Sequence, residues 1–324
     1  MSGAGRAARA ATLVAASGSV LFAFSERLFW SFWRRGDTPG ELLITWLAYC
    51  LLAWIFLAIV RAWRVDGPWP LFLAGAVYGW IGEGVLVDTL YGGPGNPLPL
   101  SISWTGLAWH ALLSVWVGWY ALRLALTAGP ATRAAGVCAA IGAGWGAWAL
   151  WWPREPEGIV SVGVGAFASH ALFVWALLSA AAWAWGAAGA DAFRPGRGQH
   201  MGLALLVLAF FGLVRAPVTP AAAAVLPPLL ALCWLGLRAH RRVASGPDLL
   251  DVLSKPVPPL RLLALAAMPA AAIAVYGAGR AAGLAPPTNV AVYLVTTPLG
   301  FACFAWALLV CMRGRAGRPA AGAP

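Results

Sequence analysis

The chain has 324 residues, 61% of them hydrophobic and 10% charged, with a formal net charge of +11. A soluble domain carries about 25% charged residues, so this chain has too little polar surface to face water on all sides. Its positive charge does not mark a nucleic-acid binder: the basic residues are almost all Arg, lie between apolar runs, and form no continuous stripe with interleaved aromatics; Lys255 is the only lysine.

A bilayer core of about 30 Å needs about 20 apolar residues per helix. On that ruler ten segments are predicted, near 11–33, 41–63, 69–91, 101–126, 133–152, 157–186, 200–217, 219–238, 258–283 and 288–312. The first is longer than the apolar core of a signal peptide and reads as a retained span. Pro217 and Pro220 make the seventh and eighth a tight hairpin, or else one kinked or re-entrant element. The connection from Ala239 to Pro259 carries Asp248, Asp251 and Lys255 and is expected to hold a short interfacial helix. The fold class is all-α: a polytopic helical membrane protein of about ten transmembrane helices.

An even count puts both termini on one side. That side collects sixteen basic residues, and the other holds only Arg34, Arg35, Arg154, Arg215 and Arg280, with Arg27 inside the first segment. Positive charge stays cytoplasmic, so both termini are expected in the cytoplasm, with the chain multi-pass in a bacterial cytoplasmic (inner) membrane.

Eighteen of the twenty tryptophans precede residue 186. The expected organisation is a Trp-rich six-helix half over 1–190 carrying the intramembrane polar residues, an Ala/Leu/Pro-rich supporting half over 191–312, and a disordered cytoplasmic tail over 313–324. Compositional drift is the alternative. Cys50, Cys138, Cys233, Cys303 and Cys311 all sit in apolar segments without a CxxC pair, which reads as helix packing and predicts neither disulfides nor a zinc site.

Ionisable groups inside the hydrocarbon layer are costly and mark function. Glu26, Glu83, His110 and His170 qualify, on segments one, three, four and six. At about 1.5 Å per residue the first three lie about 10–14 Å from the outer boundary and His170 about 20 Å in. The four are the candidate catalytic residues, with Glu83 and His110 as the acid–base pair and Glu26 and His170 orienting or sharing the proton. Ser103 and Gly106 precede His110 on one helix face, and Gly163 and Ala166 precede His170. Such small-residue stripes describe a pocket floor or ordinary tight packing.

Substrate contacts are expected from Asp88, Tyr91, Trp80, Trp104, Trp109, Ser103 and Arg215, with the Gly- and Pro-rich loop from Gly92 to Pro99 as a lid or a plain hairpin. Arg215 and Arg280 fit anionic head groups or simple snorkelling to the interface. Glu83-Gly84-Val85 is faintly echoed by Glu157-Gly158-Ile159, but unequal spacing to the following His-Ala-Leu argues against a repeat.

No GxxxxGK[ST], HExxH, DDxxD or GxSxG run is present, and no lysine lies inside a span. P-loop ATP hydrolysis, zincin chemistry, Mg-diphosphate chemistry, the nucleophile-elbow hydrolases and a retinal Schiff base are therefore disfavoured. The reading is an intramembrane enzyme using acid–base chemistry on a lipophilic substrate such as a lipid, quinone or isoprenoid, in the outer half of the bilayer. The alternatives are a small-molecule transporter, a haem or metal redox subunit built on His110 and His170, and a non-catalytic subunit of a larger complex. Membrane lipids and a lipophilic small molecule are the expected partners, nucleic acid is not, and the residues name no cofactor.

Overall fold

A computed structural model describes residues 3–155 and 159–313. Glu157 and Gly158 of the weak echo, and the tail beyond Arg313, lie outside the described residues. Among the described residues ten long helical runs follow one another: α1 Ala4–Trp30, α2 Pro39–Ala62, α3 Pro68–Ile81, α4 Ile102–Leu122, α5 Ala131–Ala149, α6 Val164–Ala188, α7 Arg197–Val218, α8 Ala221–Val243, α9 Pro259–Ala281 and α10 Thr288–Arg313. Among the described residues extended structure is confined to two isolated bridges.

Eight of these, all but α3 and α4, are long and apolar enough to cross a membrane, which is compatible with a multi-pass membrane protein. Of the other two, α3 has only 14 residues and leads into the turn that carries Glu83, and α4 carries His110 among Trp, Gly and Ser residues. The helix breaks at Thr219 and Pro220, between α7 and α8. Leu249–Leu253 forms a short helix within the long connection.

The helices depart from regular α geometry at the ionisable residues. Ala23–Arg27 within α1, Gly82–Leu86 at the end of α3, Phe211–Arg215 within α7 and the whole of α4 are π-helical. Their hydrogen bonds skip one residue further, as from the Val87 amide to the Gly82 carbonyl (3.1 Å). Such turns are rare and concentrate at functional sites. Glu26, Arg27, Glu83, His110 and Arg215 all sit in them; His170 sits in regular helix.

The chain forms two compact units, each drawing on the Trp-rich first part and on the later part. Unit 1 comprises Met1–Trp54, Val117–Phe193 and Leu253–Val295. Within it α9 packs along α5, and α1 along α6. A Cβ at Gly142 or Gly146 would strike the carbonyl of Met268 or Ala272, so two backbones touch where both glycines are required. Arg123 is buried and spends its guanidinium on the carbonyls of Leu253 (3.0 Å), Ala182 (2.8 Å) and Lys255 (2.8 Å), fastening the chain after the short helix.

Unit 2 comprises Ile55–Trp116, Arg194–Val252 and Thr296–Pro324. Here α8 packs on α3. Arg61 at the end of α2 holds Asp248 and Asp251, each at 2.8 Å. Gly75 and Gly79 of α3 bring its backbone against Ala111 and Gly106 of α4.

Candidate functional site

The approach of α3 to α4 sets the geometry of unit 2. A Cβ at Gly79 would lie 2.6 Å from the Gly106 carbonyl and 2.8 Å from the His110 Cβ. No side chain fits there, so the two backbones meet at this level. Glu83 is four residues beyond Gly79, one turn along the same face, and its Oε1 reaches the His110 Nε2 at 2.6 Å. The Thr89 hydroxyl donates to the other carboxylate oxygen. The Tyr78 ring stands edge-on to the imidazole with centroids 5.3 Å apart. Glu83 is the more exposed partner, its side chain 16% accessible against 5% for His110.

The end of the turn that carries Glu83 leaves the carbonyls of Gly84, Val85 and Leu86 in need of donors. Each has one: Tyr91 donates its hydroxyl to the Gly84 carbonyl (2.5 Å), Arg215 donates Nε to Val85 (3.3 Å) and Nη2 to Leu86 (3.0 Å). The remaining Arg215 nitrogen pairs with Asp88 at 3.3 Å. Ser101 ties down the Leu90 carbonyl just after the turn (2.8 Å).

Several of the residues expected to contact substrate have partners within the protein. Arg215, Asp88 and Tyr91 hold the turn. Trp80 is fully buried and donates its indole N–H to the Ile102 carbonyl (2.9 Å). Ser103 donates to the Thr297 carbonyl (2.6 Å). Trp104 and Trp109 lie edge to face at 6.1 Å. Gly106 touches Gly79 and Trp80, and Ser103 touches Gly300, so the small stripe above His110 is a packing surface.

In unit 1, Glu26 accepts a hydrogen bond from the Tyr49 hydroxyl (3.2 Å). Both ring nitrogens of His170 are engaged. Its Nε2 donates to the Arg27 carbonyl (2.8 Å) and its Nδ1 faces Arg27 Nη2 (3.5 Å). A carbonyl only accepts and a guanidinium only donates, which specifies the Nε2–H tautomer.

Arg27 is the residue that sequence reasoning set aside. It is 0% exposed, pairs with Asp37 at 2.8 Å, and lies 5.0 Å over the Trp33 ring. Its Nε and Nη1 have no acceptor among the described residues. The rule applied to buried carboxylates and histidines would have found it, since it interrupts the same apolar run as Glu26. Asp37 lies in the connection between α1 and α2. Burial there opposes its ionisation, but hydrogen bonds from the Arg27 side chain and the Arg34 backbone, with the charges of both arginines, outweigh that and hold its pKa below the ordinary 3.8.

Among the described residues no three His, Cys, Asp or Glu side chains converge as a metal-holding set. No family model matches this chain, nor does any curated protein or solved structure.

Proposed function

We propose that this is an intramembrane enzyme in which Glu83 and His110 exchange a proton with a lipophilic substrate. The contact of 2.6 Å between two ionisable side chains on neighbouring helices carries the reading. A carboxyl and an imidazole that share one proton can take a proton from one substrate atom and return it to another. Glu83, the more accessible of the two, meets the substrate; His110 stands behind it as the proton partner. Thr89 and the backbone ties of Tyr91 and Arg215 hold the carboxylate in register. The working residues lie in the first 190 positions, and the later half supports them through Arg215.

The topology proposed with it has ten segments, α3 and α4 among them, with both termini in the cytoplasm of a bacterium. The sixteen basic residues on that side support the orientation. Glu83 and His110 then lie in the outer half of the bilayer.

The test is a lipid inventory. Purified protein in proteoliposomes made from a total membrane lipid extract is compared with Glu83→Gln by mass spectrometry. A species converted by the wild type and left intact by Glu83→Gln is expected. Identical inventories with the wild type and with empty vesicles count against catalysis on a lipid.

A further inference from the structure

In unit 1 a pocket of about 410 Å³ lies between the end of α1 and the start of α2, with Arg27, Trp30, Arg34, Asp37, Glu41 and Thr45 in its wall. Its charged groups are unevenly satisfied. A guanidinium carries five N–H donors. The contacts of Arg27 to the Phe32 carbonyl (3.3 Å), Asp37 (2.8 Å) and His170 (3.5 Å) all fall on Nη2. The donors on Nε and Nη1 have no acceptor among the described residues, although the side chain is only 1% exposed. Buried donors are ordinarily met. Arg27 also stands in the π-turn Ala23–Arg27, a geometry that concentrates at functional sites.

Asp37 does not supply the missing acceptor. Its Oδ2 already takes Arg27 Nη2 and the Arg34 amide, at 2.8 Å each, and its Oδ1 takes Arg34 Nε and Nη2, at 3.2 Å each. The Arg34 guanidinium also lies 4.5 Å over the Trp30 ring. Glu41 has a different use: the Thr38 amide and hydroxyl both donate to its Oε2 (3.1 and 2.9 Å), at the first turn of α2. Two cations and two carboxylates therefore line one pocket. The wall is balanced in charge but not in hydrogen bonds, with donors left over on Arg27 and an acceptor, Oε1, on Glu41. The volume falls in the range of ligand pockets, about 300–1,000 Å³.

We infer that this pocket binds a zwitterionic phosphate ester of the phosphoethanolamine kind, its phosphate on Arg27 and its ammonium on Glu41. A lone anion would be repelled by the Glu41 carboxylate and a lone cation by the two guanidiniums; a group carrying both charges is attracted at both ends. A phosphate has more acceptor oxygens than a carboxylate and suits an arginine with several unmet donors. The site stands independently of the acid–base reading of Glu83 and His110. Arg27 lies in the last turn of α1 and Glu41 in the first turn of α2, a level that both a lipid head group and a water-soluble ester reach.

The full-length protein in neutral detergent is titrated by calorimetry with free phosphoethanolamine and with a short-chain phosphatidylethanolamine. Glycerol phosphate and the matching short-chain phosphatidylglycerol, which lack the ammonium, are the comparisons, and ethanolamine lacks the phosphate. The ethanolamine ester is expected to bind about tenfold more tightly than the glycerol ester of the same form, and ethanolamine alone not to bind. Glu41→Gln, at an exposed position, is expected to remove the preference for the ethanolamine ester. Thr45→Trp fills the pocket and is expected to abolish binding. Saturable binding of the free ester assigns the site to a soluble ligand, and binding of the lipid alone assigns it to a head group; either upholds the inference. No binding in either form, equal affinity for the two esters, or a preference that survives Glu41→Gln overturns it.

Discussion

Arg215 and Glu83 belong to two π-turns that hold one another: the guanidinium at the end of Phe211–Arg215 bonds the terminal carbonyls of Gly82–Leu86, the turn on which Glu83 stands. The carbonyls that an α-helix end leaves over must be met inside the protein, and one arginine meets two of them and Asp88 as well.

Replacing Arg215 by Met is therefore expected to misplace Glu83 rather than to remove a substrate contact. Conversion should fall by about 10²-fold, the cost of roughly 1 Å of displacement in a catalytic group. Asp88→Asn should cost far less, since two of the three Arg215 interactions remain. Initial rates of the two variants at saturating substrate check this; equal losses would place the effect on the ion pair instead of the turn.

Glu83→Gln keeps the size of the side chain and an acceptor for Thr89 but cannot exchange a proton. Loss of general acid–base assistance is worth about 10²–10⁴-fold in rate. Thermal unfolding followed by tryptophan fluorescence should change little. A variant that unfolds early would show that the pair serves stability rather than chemistry.

Gly79→Ala should be harmful although only a methyl is added. The new Cβ meets the Gly106 carbonyl and the His110 Cβ, neither of which can swing aside. Overpacking of this kind costs about 1–3 kcal/mol, and parting the helices lengthens the Glu83–His110 contact. A lowered Tm together with reduced conversion is the expected pair of readings. Gly136→Ala, where no atom lies within 4 Å, serves as the control and should be neutral.

Asp37 ties Arg27 to the connection after α1, and its side chain is 4% exposed. Removing one member of a buried ion pair leaves the other uncompensated, at about 3–5 kcal/mol, so Asp37→Asn should lower the Tm strongly at neutral pH. The pH dependence follows from the depressed pKa. A carboxyl held below its ordinary value stabilises the fold above the unfolded value near 3.8 and loses that contribution as the pH falls through the folded one. The Tm gap between wild type and Asp37→Asn should thus be full at pH 6 and shrink below pH 4. A gap independent of pH would assign the loss to packing.

The helical character of the chain, with apolar runs of membrane length, was legible in it, and Glu83 and His110 stood out as candidates. Apolar runs of membrane length can only be helices, because backbone groups in lipid must bond within their own segment. Glu83 and His110 stand out because ionisable groups are scarce in such runs. Arg27 was equally visible and was passed over. Asp37, its partner, was not, because a carboxylate in a polar connection has no unusual neighbours in sequence.

What the tertiary structure alone decided is which polar groups meet. Glu83 and His110 are 27 residues apart, and their contact depends on the glycine-to-glycine approach of α3 to α4 one turn before Glu83. Hydrophobic periodicity does not report one extra residue in a turn, nor the rotation of one helix against another. For the same reason sequence does not report that Arg215 and Tyr91 bond carbonyls of the Glu83 turn, or that Asp88 pairs with Arg215. Sequence sets the price of a charge in lipid, and packing chooses the partner that makes it tolerable.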